Sequence, residues 1–196
     1  MQTPQEILSF WFGDDPGHPL QNSAKWWKKA PAFDAEIDRL FRQDMEAAAR
    51  GELDSWRAEP RPCLALILLL DQFSRNVHRN QPESFAQDSR ALEASLAGQA
   101  QGLDRALTIV ERWFFCMPMM HAEDREIQRR SVATYRQLAA GAPPELAATM
   151  RGALDFAEQH AGIVERFGRF PHRNAILGRS TTVEEAEFLK QPGSSF

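Results

Sequence analysis

Residues 63–76 read Cys63-Leu64-Ala65-Leu66-Ile67-Leu68-Leu69-Leu70-Asp71-Gln72-Phe73-Ser74-Arg75-Asn76. Eight apolar residues in a row leave no polar face. Such a run fits a buried strand or a buried helix. Leucine dominates it, and Asp71-Gln72-Phe73 continues it without a turn signal. The run therefore reads as a helix that is apolar all round, which places it at the centre of a core. It is expected to end before Asn80-Gln81-Pro82. Asp71 and Arg75, four apart, share one face of it. A carboxylate at the end of a buried helix is expensive unless paired, so Asp71 is expected to receive hydrogen bonds from an arginine or histidine.

The rest of the chain reads the same way. β-branched residues are scarce and alanine is abundant, which favours helix over strand. Thr3-Pro4 with Glu6 is a capping box that opens a helix over 4–12. Ser23 is expected to cap a short turn carrying Trp26 and Trp27. Phe33, Ile37, Leu40, Phe41 and Met45 recur at helical spacing, giving a helix over 31–50 that Gly51 can close. Further helices are expected over 84–98, with Phe85, Leu92 and Leu96 inward, and around Leu107 to Phe115, bent or ended by Pro118. A long helix over 122–140 follows, then one over 145–167 carrying Leu146, Met150, Leu154, Phe156, Ile163 and Val164. Gly168 ends that helix. Thr182 with Glu185 forms a second capping box before a last short helix. The expectation is an all-α chain of seven to nine helices, a compact α-α superhelix or an irregular bundle, in one domain spanning 1–196.

Composition sets outer limits. The chain has 196 residues, 27 acidic and 23 basic, with a net charge of -4 and 43% apolar residues. That length can bury roughly 70% of the unfolded surface, so a sizeable core is expected and a disordered or fibrous chain is not. Mild acidity argues against a dedicated nucleic-acid binder. The apolar run is too short to span a bilayer and the first residues lack a signal-peptide pattern, so the expected location is the cytoplasm, with no membrane partner. Cys63 and Cys116 lie in apolar surroundings and read as core residues. The tryptophans read mostly as packing, although Trp26-Trp27 before Lys28-Lys29 could line a groove.

The polar residues are unevenly placed. Arg166, Arg169, Arg173 and Arg179 cluster with His172 and Asn174 around Gly168 and Pro171. Guanidinium forks match phosphate and carboxylate groups, so an anion pocket is one reading. The other is structural, with these arginines paired to acids such as Asp71 and Glu158. His121, Glu123 and Asp124 form a further polar group. His121 reads as a helix N-cap, a buried hydrogen-bonding residue or a proton-transfer group. His160, with Ile163 and Val164 one turn on, reads as a packed core histidine. No metal-ligand spacing and no glycine-rich nucleotide loop is present, so no metal and no cofactor is expected.

Four segments carry a family resemblance. They are Ile7-Leu8-Ser9-Phe10-Trp11-Phe12-Gly13 with Trp26-Trp27, then Leu70-Asp71-Gln72-Phe73-Ser74-Arg75-Asn76 with Ser84-Phe85-Ala86 and Asp88. Pro118-Met119-Met120-His121-Ala122-Glu123-Asp124 is the third. The fourth is Arg166-Phe167-Gly168-Arg169-Phe170-Pro171-His172-Arg173-Asn174 with Leu177-Gly178-Arg179 and Thr181. In this order they resemble the uncharacterised bacterial family DUF924. Ser74 stands where that family usually has proline, which is expected to relax the backbone there, and Ala122 where it often has serine. The resemblance implies a tetratricopeptide-like helical architecture and no established activity.

Three functions follow as expectations. A small-molecule or anion pocket would bind through Asp71, Arg75, Asn76, Arg169, Arg173 and Asn174, with His121, His172 and Glu123 as its acid–base residues. A protein-interaction domain would offer a groove for a peptide. A structural network would instead satisfy these groups internally. The sequence does not decide whether the chain is an enzyme, and leaves a homo-oligomer open.

Overall fold

The fold was read from a computed structural model, which describes residues 1–15 and 17–195. All regular structure among them is helical, with no strand. Contacts gather into two compact units. The first comprises Met1–Arg79 and Glu83–Pro118, the second Asn80–Pro82 and the chain from Met119 on.

The first unit is built on the leucine-rich run. Helix α1 (Pro4–Phe12) opens with the Thr3–Glu6 capping box, and its cap glycine Gly13 donates to Ser9 O. Helix α2 (Ser23–Trp26) follows. Its cap position is Asn22 and not Ser23, and the Asn22 side chain bonds Phe10 O instead of the helix. Helix α3 (Pro31–Arg50) ends at Gly51, whose left-handed φ of 82° suits glycine. The central helix then runs as α4 (Pro60–Leu68), one π-helical turn over Leu69–Phe73, and α5 (Ser74–Val77). Every residue from Cys63 to Phe73 is buried, as an all-apolar helix requires.

The π turn sits on the Asp71-Gln72 motif, immediately before Ser74. A widened turn displaces carbonyls from their usual i+4 donors. Side chains cover two of them: Ser74 Oγ donates to Leu69 O at 3.5 Å and Arg75 Nη1 to Asp71 O at 3.1 Å. Ser74 thus supplies a hydroxyl donor at this turn.

Two expectations are corrected here. Helix α6 spans Asp88–Ala100 and not 84–98. Pro82–Phe85 is a separate 3-10 turn, held by the Ser84 hydroxyl on His78 O. The buried face of α6 is Ala91, Ala94, Ser95 and Gly98, while Phe85, Leu92 and Leu96 are half-buried. Small residues win this face because the neighbouring backbone comes close: Ser95 Oγ donates to Phe115 O at 2.7 Å, and a Cβ on Gly98 would lie 2.5 Å from Phe115 Cζ. Helix α7 (Ile109–Met120) passes through Pro118 without ending there. Proline removes one donor, but its fixed φ is helical.

Aromatic side chains fill the rest of this unit. Trp11 and Trp26 stack at 6.1 Å, and Trp26 Nε1 donates to Trp11 O at 2.9 Å. Trp26 is therefore core. Trp27 stacks on Phe114 at 5.9 Å and stays 57% exposed.

In the second unit α8 (Arg125–Ala140) pairs with α9 (Ala147–Phe167) across a short connection containing a 3-10 turn at Pro144–Leu146. The N-cap of α8 is Asp124, which accepts from Ile127 N at 2.9 Å, so His121 is not the cap. Gln128 folds back from α8 and donates to Met120 O and Ala122 O, both at 2.7 Å, closing the end of α7. Along α9, Met150, Ile163 and Val164 are buried, whereas Phe156 faces solvent. Gly168, at φ 71°, turns the chain out of α9. A 3-10 turn at Pro171–Arg173 and α10 (Val183–Phe188), opened by the Thr182–Glu185 capping box, complete the unit.

Candidate functional site

In the first unit the polar end of the buried helix forms one network. Asp71 is fully buried. Its Oδ1 accepts from Arg75 Nη1 at 2.8 Å and its Oδ2 from Gln72 Nε2 at 2.6 Å. Gln72 also reaches Met117 Sδ at 3.1 Å. Arg75 bridges onward to Asp88 at 3.0 Å and lies over the Phe85 ring. Burial alone would push the Arg75 guanidinium down, but Asp71 and Asp88 hold it above its ordinary value. Asn76 donates to Asp34 at 2.8 Å, and Arg79 binds the same carboxylate with two nitrogens at 2.6 and 3.0 Å. The buried carboxylate is thus satisfied by the arginine one turn on, as its burial demands.

The arginine-rich segment lies in the second unit with His121, Glu123, His172 and Asn174. Its carboxylate partners include Glu123, Glu184 and Glu185. Asp71 pairs with Arg75 at 2.8 Å, and Glu158, expected to take an arginine of this segment, pairs with Arg136 at 3.0 Å. The segment's acids are supplied by the α7–α8 turn and by α10, from opposite sides in sequence.

A continuous chain of bonds results. Arg179 holds Glu123 with two nitrogens, at 2.6 and 2.9 Å, and donates to Phe170 O at 3.0 Å. Glu123 also accepts the Phe170 N–H at 2.7 Å. Arg179 Nε donates to Asn174 Oδ1 at 3.0 Å, and Asn174 Nδ2 donates to Glu185 at 3.3 Å. Glu185 accepts from Arg169 at 2.6 and 2.8 Å and from its own capping position, Thr182 N, at 2.8 Å. Burial pushes the Glu123 carboxyl up, but the Arg179 and Phe170 hydrogen bonds and the Arg179 and Arg173 charges hold it below the usual carboxylate value. The Arg169 hydrogen bond leads in lowering Glu185 to about 2.

Beside this chain, Arg173, His160 and His172 lie around Phe170, and His121 lies against His160. Arg173 lies over the ring, 4.6 Å from its centroid, and donates to His121 O at 3.1 Å. The His160 ring is 5.5 Å from Phe170 and 6.1 Å from His121, and the His172 ring is 5.7 Å from Phe170. Phe170 and Arg173 are buried, while His121 and His172 are half-buried and reach the surface. His160 Nδ1 lies 2.8 Å from Phe156 O, so that nitrogen carries the proton and Nε2 is the acceptor. Burial first, then the charges of His121, Arg173 and His172, push the His160 imidazole down to about 3. It is neutral at pH 7.

Within each unit the expected site residues group as follows. Asp71, Arg75 and Asn76 belong to the first unit. Glu123, Arg169 and Asn174 belong to the ion-pair chain of the second, and His121, His172 and Arg173 to the basic cluster. Sequence reading missed His160 as a member of that cluster, although it rightly gave it a packed position. It also missed Glu185 as the acid for Arg169, since its capping role accounted for it fully. No three His, Cys, Asp or Glu among the described residues are grouped to hold a metal ion. Burial pushes the Cys63 thiol up to about 11, which keeps it protonated and unreactive. No helix among the described residues is long and apolar enough to cross a membrane.

Residues 7–193 match the family model described as a bacterial protein of unknown function, DUF924. A solved structure of a protein of unknown function from Agrobacterium tumefaciens is 40% identical, with a TM-score of 0.82, covering 95% of this chain and 96% of that one. No curated protein matches.

Proposed function

For a chain that belongs to the DUF924 family of bacterial proteins, we propose a binding function: the second unit takes a small phosphate or carboxylate anion at Arg173, His121 and His172. The observation that carries this reading is the gathering of Arg173, His160 and His172 around the Phe170 ring, with His121 against His160. A buried guanidinium interacts with an anion more strongly than an exposed one. His121 and His172 are half-buried and supply imidazole nitrogens beside Arg173. His160 stays neutral and forms a wall. Glu123 is then a positioning residue, fixing the Phe170 backbone under the site.

A second reading applies to the other expected residues. Asp71, Arg75, Asn76, Arg169 and Asn174 spend their polar atoms on named protein partners, which supports a structural role for them. The tetratricopeptide-like assignment rests on the α8–α9 pair as its supporting feature, and a cytoplasmic location on two buried cysteines that form no disulfide.

Calorimetric titration with inorganic phosphate and with citrate at fixed ionic strength tests the anion site. Binding is expected to weaken at least tenfold in both Arg173→Gln and His172→Gln, with unchanged far-UV dichroism in the half-buried His172 variant. Absence of binding to the wild type, or binding indifferent to His172→Gln, overturns the proposal.

A further inference from the structure

One face of α9 turns away from its partner α8 and carries both a knob and a hole. The hole is a cavity of about 270 Å³ lined by Gln159, Gly162, Ile163, Arg166, Phe167 and Phe188, with Gly193 at its edge. Gln159, Gly162, Ile163 and Arg166 are at i, i+3, i+4 and i+7, the four positions that receive a side chain from a facing helix. Gly162 deepens it by having no side chain. The knob is Phe156, 53% exposed on the same helix. Glycine inside a helix is unfavourable relative to alanine. Yet a Cβ on Gly162 or on Gly152 would meet nothing within 4 Å, so packing within this chain requires neither glycine.

We propose that this face of α9 is the contact between two copies of the chain, related by a two-fold axis crossing the helix near Gln159. A two-fold contact must be self-complementary, with residue i meeting j and j meeting i. Here Phe156 and Gly162 are equidistant from Gln159, as are Gly152 and Arg166. Two antiparallel α9 helices therefore bring each Phe156 to the level of the other copy's cavity, and each Arg166 to the level of the other copy's Gly152. Charge follows the same rule. Asp155 and Arg166 lie on one side of the face, so each Arg166 comes beside Asp155 of the second copy. Within its own chain Arg166 makes an exposed pairing with Glu184 at 2.8 Å and lies over the Phe167 and Phe188 rings. No like charges come level, since Asp155 meets Ile163 and Glu165 meets Ala153.

Sedimentation equilibrium of the full chain tests this contact. The wild type is expected to sediment as a dimer. Gly162→Leu, which fills the hole, and Phe156→Gln, which removes the knob, are each expected to raise the dissociation constant at least tenfold. Both side chains face solvent, so far-UV dichroism and thermal midpoint are expected to remain those of a folded chain. A Gln159→Cys variant is expected to be joined into covalent dimers by a short bis-maleimide, because Cys63 and Cys116 are buried and do not compete. A wild type that stays monomeric up to roughly 0.1 mM overturns the proposal and leaves the face to a different chain. A dimer whose constant neither substitution moves, or which Gln159→Cys does not join, overturns it equally.

Discussion

Glu123 and Arg179, fifty-six residues apart, meet as a two-pronged ion pair, with Arg179 Nη1 on Oε2 at 2.6 Å and Nη2 on Oε1 at 2.9 Å. The pair ties the turn after α7 to the chain beyond Phe170. Both side chains are three-quarters buried, so the pair is screened less than a surface bridge. Removing one partner leaves the other charge poorly solvated. Glu123→Gln is expected to cost about 2 kcal/mol in urea unfolding at pH 7. The folded carboxyl titrates below its ordinary value of 4.5. Its contribution is therefore complete above pH 4.5 and lost as pH falls through the lower folded value. The variant should lack that acid loss, and an unchanged acid profile would show that the pair contributes little.

His160 gives a second pH window with a different cause. Its folded imidazole titrates near 3, against 6.5 ordinarily. Between those values the unfolded chain binds a proton that the folded chain refuses. Stability therefore falls as pH drops from 6.5, by about 1.4 kcal/mol per pH unit at most. His160→Gln should flatten urea midpoints between pH 6.5 and 5, at a fixed loss from poorer packing. A wild-type midpoint constant across that range would contradict the neutral, buried imidazole.

Asp71 is fully buried, so its charge is costly to disturb. Asp71→Asn keeps the shape but leaves Arg75 beside a neutral amide in a buried helix. The expected loss is about 3 kcal/mol, measured by chemical denaturation, with Asp88 still holding the other side of Arg75. Arg75→Met, which strands Asp71 instead, should be at least as damaging. If both variants melt like the wild type, the network is not structural.

Gly98→Ala reverses the usual sign of a helical glycine replacement. Alanine is the better helix former by about 1 kcal/mol. Here the new methyl would stand 2.5 Å from Phe115 Cζ and 3.5 Å from Cys63 Sγ. Overpacking of that kind costs about 1–3 kcal/mol, so the thermal midpoint should fall. A raised midpoint would mean that Phe115 moves aside freely.

The helices and most of their ends were legible in the sequence, because the signals are local. The Thr3–Glu6 and Thr182–Glu185 capping boxes, Gly51 and Gly168 act within one turn of themselves, and an all-apolar octet buries itself wherever it lies. The missed elements depended on neighbours. Small residues, and not Leu92 and Leu96, took the inner face of α6 because Phe115 and its carbonyl lie against it. Pro118 stayed inside α7, since a proline's local preference permits either outcome.

The site divides in the same way. Sequence alone determined that Arg166 to Arg179 forms a dense basic segment and that Asp71 needs a donor. Partner choice was a matter of tertiary structure. Glu123 and Glu185 reach Arg179 and Arg169 across 56 and 16 residues, and His160 joins His121 only because α9 folds back along α8. Charge pairing at long range has no periodicity in sequence: any of 27 acids could satisfy an arginine, and the packing of the helices chooses which one does.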